Sequence, residues 1–478
     1  MKKRILSIII ALILCISMLP TSTVLAANQE TTQSYAAKQP FSNWAMNDLV
    51  TGDSYGIYPI SWYTSDMTKA ISKGKLNILI GGLNAKLMNT GCVADTQMKK
   101  VRLAGKLTVQ EVMKTFYDIA SSYTFTPDIK LQTTSYLEFM KENGIYTGKN
   151  GEQSLKANCS IEQACVLATR LVTVIYDKLD AGSKGFFYKT EANGNTVYML
   201  GSIHFANNDV YPMNSDILKA YTASDALAVE INMTNQAGAY EILNLASYTD
   251  GTTLKDHVSK ETYEKVIRLA TKYGYDEEMI NNFKPWYLYI SFTSLATTQS
   301  ASTTEATQSA ALGIDMNFLT NATLSGKQIL EVEGYGVQAR MLDSFSDGLE
   351  EYLLNETIDS VNEITNGEGD GGSDDLQAML DLWRKGDEKE FQKYTSFEYE
   401  NDDLVADGAN TTEAAFMKEF KEKLYTNRDK NMAAYIDKLL TSTDKKTYFV
   451  VVGSGHYVSD HDVIDLLTEK GYIITQIK

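Results

Sequence analysis

An α/β fold with a layered sheet and flanking helices, preceded by an all-helical N-terminal repeat domain, is the architecture that this 478-residue chain predicts. Three observations carry the expectation. From Gly185 onward, short apolar runs alternate with helical stretches, the texture of strands interleaved with helices. Before that point, a polar turn opening an apolar helix recurs three times. Finally, two of the four histidines close the same short phrase after an apolar run, Gly201-Ser202-Ile203-His204 and Gly453-Ser454-Gly455-His456. With 31 Gly in 478 residues, two such hits among four His arise by chance roughly 2 to 3% of the time, so the repeat is informative.

The start of the chain reads as a secretory signal at residues 1–26: Met1 to Arg4 give the positive end, Ile5 to Leu19 the apolar run, and Val24-Leu25-Ala26 a small-residue cleavage site. The mature chain is expected to begin at Ala27, with a linker over 27–38. The apolar run is shorter than the roughly 20 residues that a membrane span needs, and no later stretch approaches that length. Cys15 lacks the small residues before it that would suggest a lipid anchor. The expectation is a secreted, extracellular protein, soluble or held non-covalently at the cell wall, with no membrane span in its mature form. Removing Lys2, Lys3 and Arg4 takes the formal charge from −17 to −20, which argues against nucleic acid or an anionic bilayer as partner. Cys92, Cys159 and Cys165 remain, an odd set that allows one bridge and excludes a disulfide framework.

Residues 39–180 contain the three helix openings: Ala70-Ile71-Ser72-Lys73-Gly74-Lys75-Leu76, Leu107-Thr108-Val109-Gln110-Glu111-Val112 and Cys159-Ser160-Ile161-Glu162-Gln163-Ala164. In the third, Ser160-Ile161-Glu162-Gln163 reads as a helix start and apolar periodicity runs on through Ile175. The region resembles S-layer homology repeats, which implies helical modules and cell-wall polysaccharide as a partner. Each copy lacks the Arg usual in that family's helix-opening motif.

In the region 185–478, Phe186 to Thr190 and Thr196 to Ile203 read as two strands joined at Asn193-Gly194-Asn195. Ala226 to Ile231 is a further strand, followed by helical sequence from Thr253 to Ala296, a Ser/Thr/Ala stretch from Thr297 to Ala311, and a helix from about Ile314 to Leu324. Strand Gln328 to Val332 comes next. The acidic, Gly-rich segment from Asn366 to Asp375 imitates a calcium loop, but Glu368 and Gln377 break the pattern, so a solvated linker is expected. Helices over Leu376 to Leu440, strand Tyr448 to Val452, a helix from Asp462 to Lys470 and strand Tyr472 to Ile477 complete the series.

The chemistry follows from the strand ends. A glycine at the end of a buried strand lets backbone or ligand approach closely, and the imidazole is delivered just beyond it. If both Gly-x-x-His strands are parallel members of one sheet, His204 and His456 lie on the edge where α/β sheets carry their sites. Two neutral imidazoles there suit a divalent metal. Glu230, inside the apolar run Ala228 to Ile231, and Glu331 or Glu333 on the later strand supply carboxylates, and burial of Glu230 demands a partner for its charge. His257 and His461 read as helix-associated residues and are set aside.

From Phe186 to Lys478 the chain resembles the TraB/GumN family, to which the Tiki proteases are related. The resemblance rests on Gly-Ser-Ile-His with Tyr211-Pro212 after it, Val229-Glu230-Ile231, Lys284-Pro285-Trp286, Gly313-Ile314-Asp315, and Gly326-Lys327 leading to Glu333 and Gln338. It continues with Arg428 before Met432-Ala433 and with Val452-Gly453-Ser454-Gly455-His456 leading to Gly471-Tyr472. It implies a fold similar to that of the erythromycin esterases and haem-uptake lipoproteins, and a metal-dependent peptidase using manganese or cobalt, with zinc also suited to the ligands. Carried over by position, His204, His456 and Glu230 hold the metal, Glu333 is the general base, and Arg428 stabilises an oxyanion or a substrate carboxylate; Asp315 marks a further acidic position. The chain departs from the family at Asn427, where an acid is frequent, and at Tyr457, where leucine is common. The substrate implied is a peptide. The alternative is a protein that captures a peptide, such as a pheromone, without cleaving it.

Overall fold

The computed structural model describes residues 39–94, 105–129, 131, 135–148, 152–300, 303–366, 373–395 and 411–477. The signal-peptide and linker expectations, and the solvated segment at 366–375 apart from its ends, lie outside these. The described chain divides into two compact units, one of 39–183 with 208–218 and one of 184–207 with 219–477.

The N-terminal unit is built on five principal helices, α1 (Met46–Tyr55), α2 (Lys73–Met88), α3 (Val109–Ala120), α4 (Tyr136–Glu142) and α5 (Ile161–Leu179). The three polar openings are the N-caps of α2, α3 and α5. The Ser72, Thr108 and Ser160 hydroxyls accept from the backbone N–H of Lys75, Glu111 and Gln163, and Gln163 returns the bond to the Ser160 N–H. The residues just before these helices bond to one another: Ile71 N–H donates to Cys159 O at 2.8 Å, Cys159 N–H to Leu107 O at 2.9 Å and Val109 N–H to Ala157 O at 3.0 Å. One feature departs from an all-helical unit, a two-stranded ribbon of β1 (Val93–Ala94) and β2 (Tyr123–Thr124). Strands of two residues are too short to show a period. The segment 208–218 joins this unit because Lys86, 5% exposed on α2, donates its ammonium to the carbonyls of Asn208 and Tyr211 at 2.5 and 2.8 Å. Cys92, Cys159 and Cys165 are free thiols.

The second unit is a mixed α/β layer around a six-stranded sheet. Its strands are β3 (Phe187–Ala192), β4 (Asn195–Ser202), β5 (Ala226–Val229), β6 (Gln328–Glu331), β7 (Thr447–Gly453) and β8 (Thr475–Gln476) in the spatial order β6-β5-β7-β4-β3-β8. The β3–β4 hairpin is antiparallel and turns at Asn193 and Gly194, with φ of 53° and 82°, the left-handed pair that a two-residue turn requires. The four strands β6, β5, β7 and β4 are mutually parallel, with Ser202 of β4 opposite Gly453 of β7 and Val229 of β5 opposite Val451. The two central strands, β5 and β7, are buried and apolar along their length after Thr447, as strands covered on both faces require.

Helices α6 (Pro285–Ser300), α7 (Ile314–Ser325), α8 (Tyr335–Leu342), α9 (Asp347–Thr365), α10 (Asn427–Thr441) and α11 (Val463–Glu469) belong to this unit, α6 packing on α9. The described parts of the Ser/Thr/Ala stretch are helical, within α6 and a further helix Thr303–Ala311. Lys284-Pro285-Trp286 anchors the start of α6: Lys284 Nζ and the fully buried Trp286 indole both donate to Asp343 Oδ1, at 2.7 and 2.9 Å. No described helix is long and apolar enough to cross a membrane.

Candidate functional site

The parallel strands β6, β5, β7 and β4 end on one edge of the sheet, and each carries a candidate residue within three positions of its end. These are Glu333 after β6, Glu230 after β5, His456 after β7 and His204 after β4. Residues widely separated in sequence are therefore brought together by strand direction alone.

Small residues make the approach. A Cβ on Gly201 would stand 2.9 Å from Ser454 Oγ and 3.0 Å from Ser454 Cα, so the first motif's glycine is the seat of the second motif's serine. A Cβ on Gly455 would meet the Tyr425 ring at 2.8 Å, and that ring packs beside His456 with centroids 5.5 Å apart. At Gly313 a Cβ would fall 2.2 Å from the carbonyl oxygen of His204, while Ile314 N–H donates to Ile203 O at 3.0 Å. Gly313-Ile314-Asp315 is thus pressed onto the first motif, and Asp315 at the start of α7 reaches His204 Nδ1 at 3.0 Å.

His456 has a matching partner. Its Nδ1 lies 2.5 Å from Asp429 Oδ1, and both side chains are buried. Asp429 is the residue that reading the sequence missed; its one clue was its place beside Arg428. Both sit in the first turn of α10, just after a π turn over Glu422–Thr426, the irregularity that frequently marks functional sites within helices. A carboxylate only accepts, so the hydrogen of each ring stands on Nδ1, and in a neutral imidazole the lone pair falls on Nε2. The Nε2 of His456 is buried with no hydrogen-bond partner among the described residues, and Glu230 Oε1 lies 4.0 Å away, beyond hydrogen-bond reach.

Glu230 and Glu333 share one cation. Arg428 Nη2 donates to Glu230 Oε2 at 2.7 Å and to Glu333 Oε2 at 2.8 Å, and its Nε reaches Glu333 Oε1 at 2.9 Å. Gln338, on α8, donates its amide to the same two carboxylates at 3.1 and 3.0 Å. Burial opposes the charge on Glu230, but Arg428, His456, His204 and the Gly453 N–H outweigh it and hold the carboxyl well below the usual range. Burial likewise disfavours the guanidinium charge, and Glu333 and Glu230 reverse this, raising the proton affinity of Arg428.

Among the described residues no three His, Cys, Asp or Glu side chains are arranged to hold a metal ion. Glu230 is drawn onto Arg428 and the Gly453 N–H, which engages Oε1 at 2.5 Å, so the set of His204, His456 and Glu230 is not drawn up as a finished ligand cluster. The donor chemistry still fits a divalent ion, because a buried imidazole lone pair without a partner faces a carboxylate oxygen.

Next to this site Asp462 caps α11, its Oδ1 accepting from the N–H groups of Ile464 and Asp465 at 2.8 and 3.1 Å. Burial pushes its carboxyl up to about 7. The folded protein keeps this proton at pH values where the unfolded chain has released it, so stability falls as pH rises from about 4 to 7 and stays lowered above that. Asn caps helices as well as Asp and carries no charge. Asp462→Asn is therefore expected to match the parent near pH 4.5 and to exceed it by about 1–3 kcal/mol at pH 8 in urea denaturation. A difference independent of pH would show that Asp462 is charged throughout.

Residues 186–476 match the TraB/PrgY/gumN family. A protein named "Metalloprotease TIKI homolog" from Nematostella vectensis is 22% identical over 312 residues, covering 59% of this chain and 64% of that protein. "Uncharacterized protein YbaP" of Escherichia coli (strain K12) is 26% identical over 168 residues, 34% of this chain and 56% of its own length, and the Shigella flexneri protein of that name is equally similar. The chain thus spans about three-fifths of the length of the curated relatives it matches. No solved structure matches. The family match takes in more than half of the chain and every strand-end residue of the site: the chain belongs to the TraB/PrgY/gumN family.

Proposed function

We propose that this protein is an exported, metal-dependent hydrolase of peptide bonds, with His204, His456 and Glu230 as its metal-holding residues. The observation that carries the reading is the pair of histidines at neighbouring strand ends, each with Nδ1 on an aspartate, one with a buried Nε2 that has no hydrogen-bond partner among the described residues. The name of the Nematostella relative supports hydrolysis and a metal, manganese or cobalt by family resemblance, with zinc also suited to nitrogen and oxygen donors. A divalent ion bound there polarises a scissile carbonyl and lowers the pKa of water.

The chain's own residues supply the rest. Asp315 and Asp429 fix the two rings and keep the lone pairs on the Nε2 atoms. Glu333 serves as general base once the guanidinium that now engages both of its oxygens swings toward the substrate, where Arg428 donates to the developing oxyanion. One observation favours the second reading, peptide capture without cleavage: in the arrangement seen, Arg428 neutralises both the proposed base, Glu333, and the proposed ligand, Glu230.

Metal analysis and peptide turnover decide. After loading with Mn²⁺ or Co²⁺, the parent is expected to retain about one ion per chain, and His204→Ala or His456→Ala to lose most of it. Glu333→Gln should keep the metal while cleavage of a peptide mixture falls about 10²- to 10⁴-fold. If Glu333→Gln empties the site as the histidine variants do, Glu333 is a ligand; if all three keep full occupancy, the metal reading is wrong. Metal and bound peptide without turnover establish the capture reading.

The N-terminal unit we assign to cell-wall polysaccharide, supported by the three N-capped helix openings whose leading residues bond together. Full-length protein should sediment with purified cell walls and be released by soluble wall polysaccharide. Protein that stays in the supernatant removes this assignment.

A further inference from the structure

The segments that carry the two histidines also hold hydroxyls that no described residue satisfies. Among the described residues, Ser202 Oγ, Ser454 Oγ and Tyr457 Oη are buried without a hydrogen-bond partner, like the Nε2 of the intervening His456. Their residues are 3%, 3% and 2% exposed, so bulk water does not serve them. Leaving a buried donor unmade is destabilising, and native proteins keep few such groups. Four such atoms lie in two segments that abut through Gly201 and Ser454.

Tyr457 is the largest of them, and it is held at both backbone and ring. Its backbone N–H closes the turn onto Ser454 O at 3.0 Å, and its carbonyl accepts from the Tyr188 hydroxyl at 3.4 Å. Its ring meets the Tyr188 ring edge to face, centroids 5.9 Å apart, and Tyr188 is itself tied to Glu388. A phenol held at ring and backbone has lost its rotamer freedom before any ligand binds, which is the condition for a strong, specific contact.

We infer that the Tyr457 hydroxyl, assisted by that of Ser454, donates a hydrogen bond to an oxygen atom that arrives with the ligand, a carbonyl or a tetrahedral oxyanion. The two groups flank His456 in sequence, and the inference places the contact beside the proposed metal-holding imidazole. This deepens the hydrolase reading and rests on it: Tyr457 gives this chain a neutral oxygen-binding donor in addition to the Arg428 guanidinium.

The test uses full-length protein, Mn²⁺ and acetohydroxamate, a small chelator that presents oxygen to a bound metal. In the ligand-free state Tyr457→Phe removes a group with no partner and is expected to raise Tm by about 2 °C. With Mn²⁺ bound to unchanged occupancy, acetohydroxamate affinity should fall about tenfold in Tyr457→Phe and severalfold in Ser454→Ala. A lowered Tm in Tyr457→Phe means that the hydroxyl is satisfied inside the protein and overturns the inference. Unchanged acetohydroxamate affinity in both variants, with Mn²⁺ bound, overturns it too and leaves the hydrolase reading standing. Failure of the parent to bind Mn²⁺ or Co²⁺ defeats the reading itself, and the inference with it.

Discussion

Arg428→Ala is expected to cost about 3–5 kcal/mol of folding free energy, the largest single loss in the C-terminal unit. The guanidinium is 3% exposed and engages Glu230 and Glu333, so its removal leaves two buried carboxylates side by side with only the Gln338 amide between them. The cost is that of uncompensated charge, which dictates its remedy: Glu230→Gln and Glu333→Gln added to Arg428→Ala should recover more than half of the loss. Urea denaturation of the parent, the single and the triple variant measures both. A loss below about 1 kcal/mol would mean that water reaches the pair, since only screened ion pairs are worth so little. The parent should also be acid-sensitive in a defined direction. Glu230 is held well below its unfolded value, so its contribution is complete above about pH 4.3 and is lost as pH falls through the lower native pKa.

Gly313→Ala should have the second-largest effect, for a purely steric reason. Gly313 has φ −51° and ψ 144°, values that any residue adopts, so alanine brings no intrinsic strain. Its Cβ would stand 2.2 Å from the carbonyl oxygen and 2.8 Å from the carbonyl carbon of His204, and both are backbone atoms. Either the start of α7 or the first Gly-x-x-His segment has to move, and either movement separates Asp315 from His204. A loss of about 2–4 kcal/mol is expected, with reduced metal retention, because a ring freed from its carboxylate is no longer oriented. Gly74→Ala on α2 is the control: an added Cβ there meets nothing closer than 3.9 Å, and alanine favours the helix. Equal behaviour of the two variants would show that the close approach at Gly313 is relieved at no cost.

The parts of the site legible in the sequence were those written in local pattern. Apolar runs ending in glycine located β4 and β7 and put His204 and His456 just past their ends, and the isolated acid in Ala228-Val229-Glu230-Ile231 identified itself as a charge in need of a partner. What the pattern did not specify was pairing. Whether Glu230 serves a metal or a guanidinium depends on where α10 lies, and a helix packed from across the fold leaves no periodicity in the strand it meets. Asp429 stayed hidden for the same reason: adjacent helix positions point about 100° apart, and only the packing brings Arg428 and Asp429 both inward. The residues 208–218 show the limit in the N-terminal unit, where a buried lysine from α2 recruits a segment that sequence order assigns elsewhere.

The position of β7 has a consequence for how the molecule comes into being. Thr447–Gly453 is made after β3, β4, β5 and β6, yet it lies between β4 and β5, paired to both. Until it is made, these two strands lack the neighbour that joins them, and the hairpin and the β5–β6 pair remain separate fragments with open edges. Closing the sheet demands contacts across some 250 residues, which is slow. A nascent chain therefore keeps these edges open until β7 is made, and is exposed meanwhile to strand-to-strand aggregation if chaperones do not shield it.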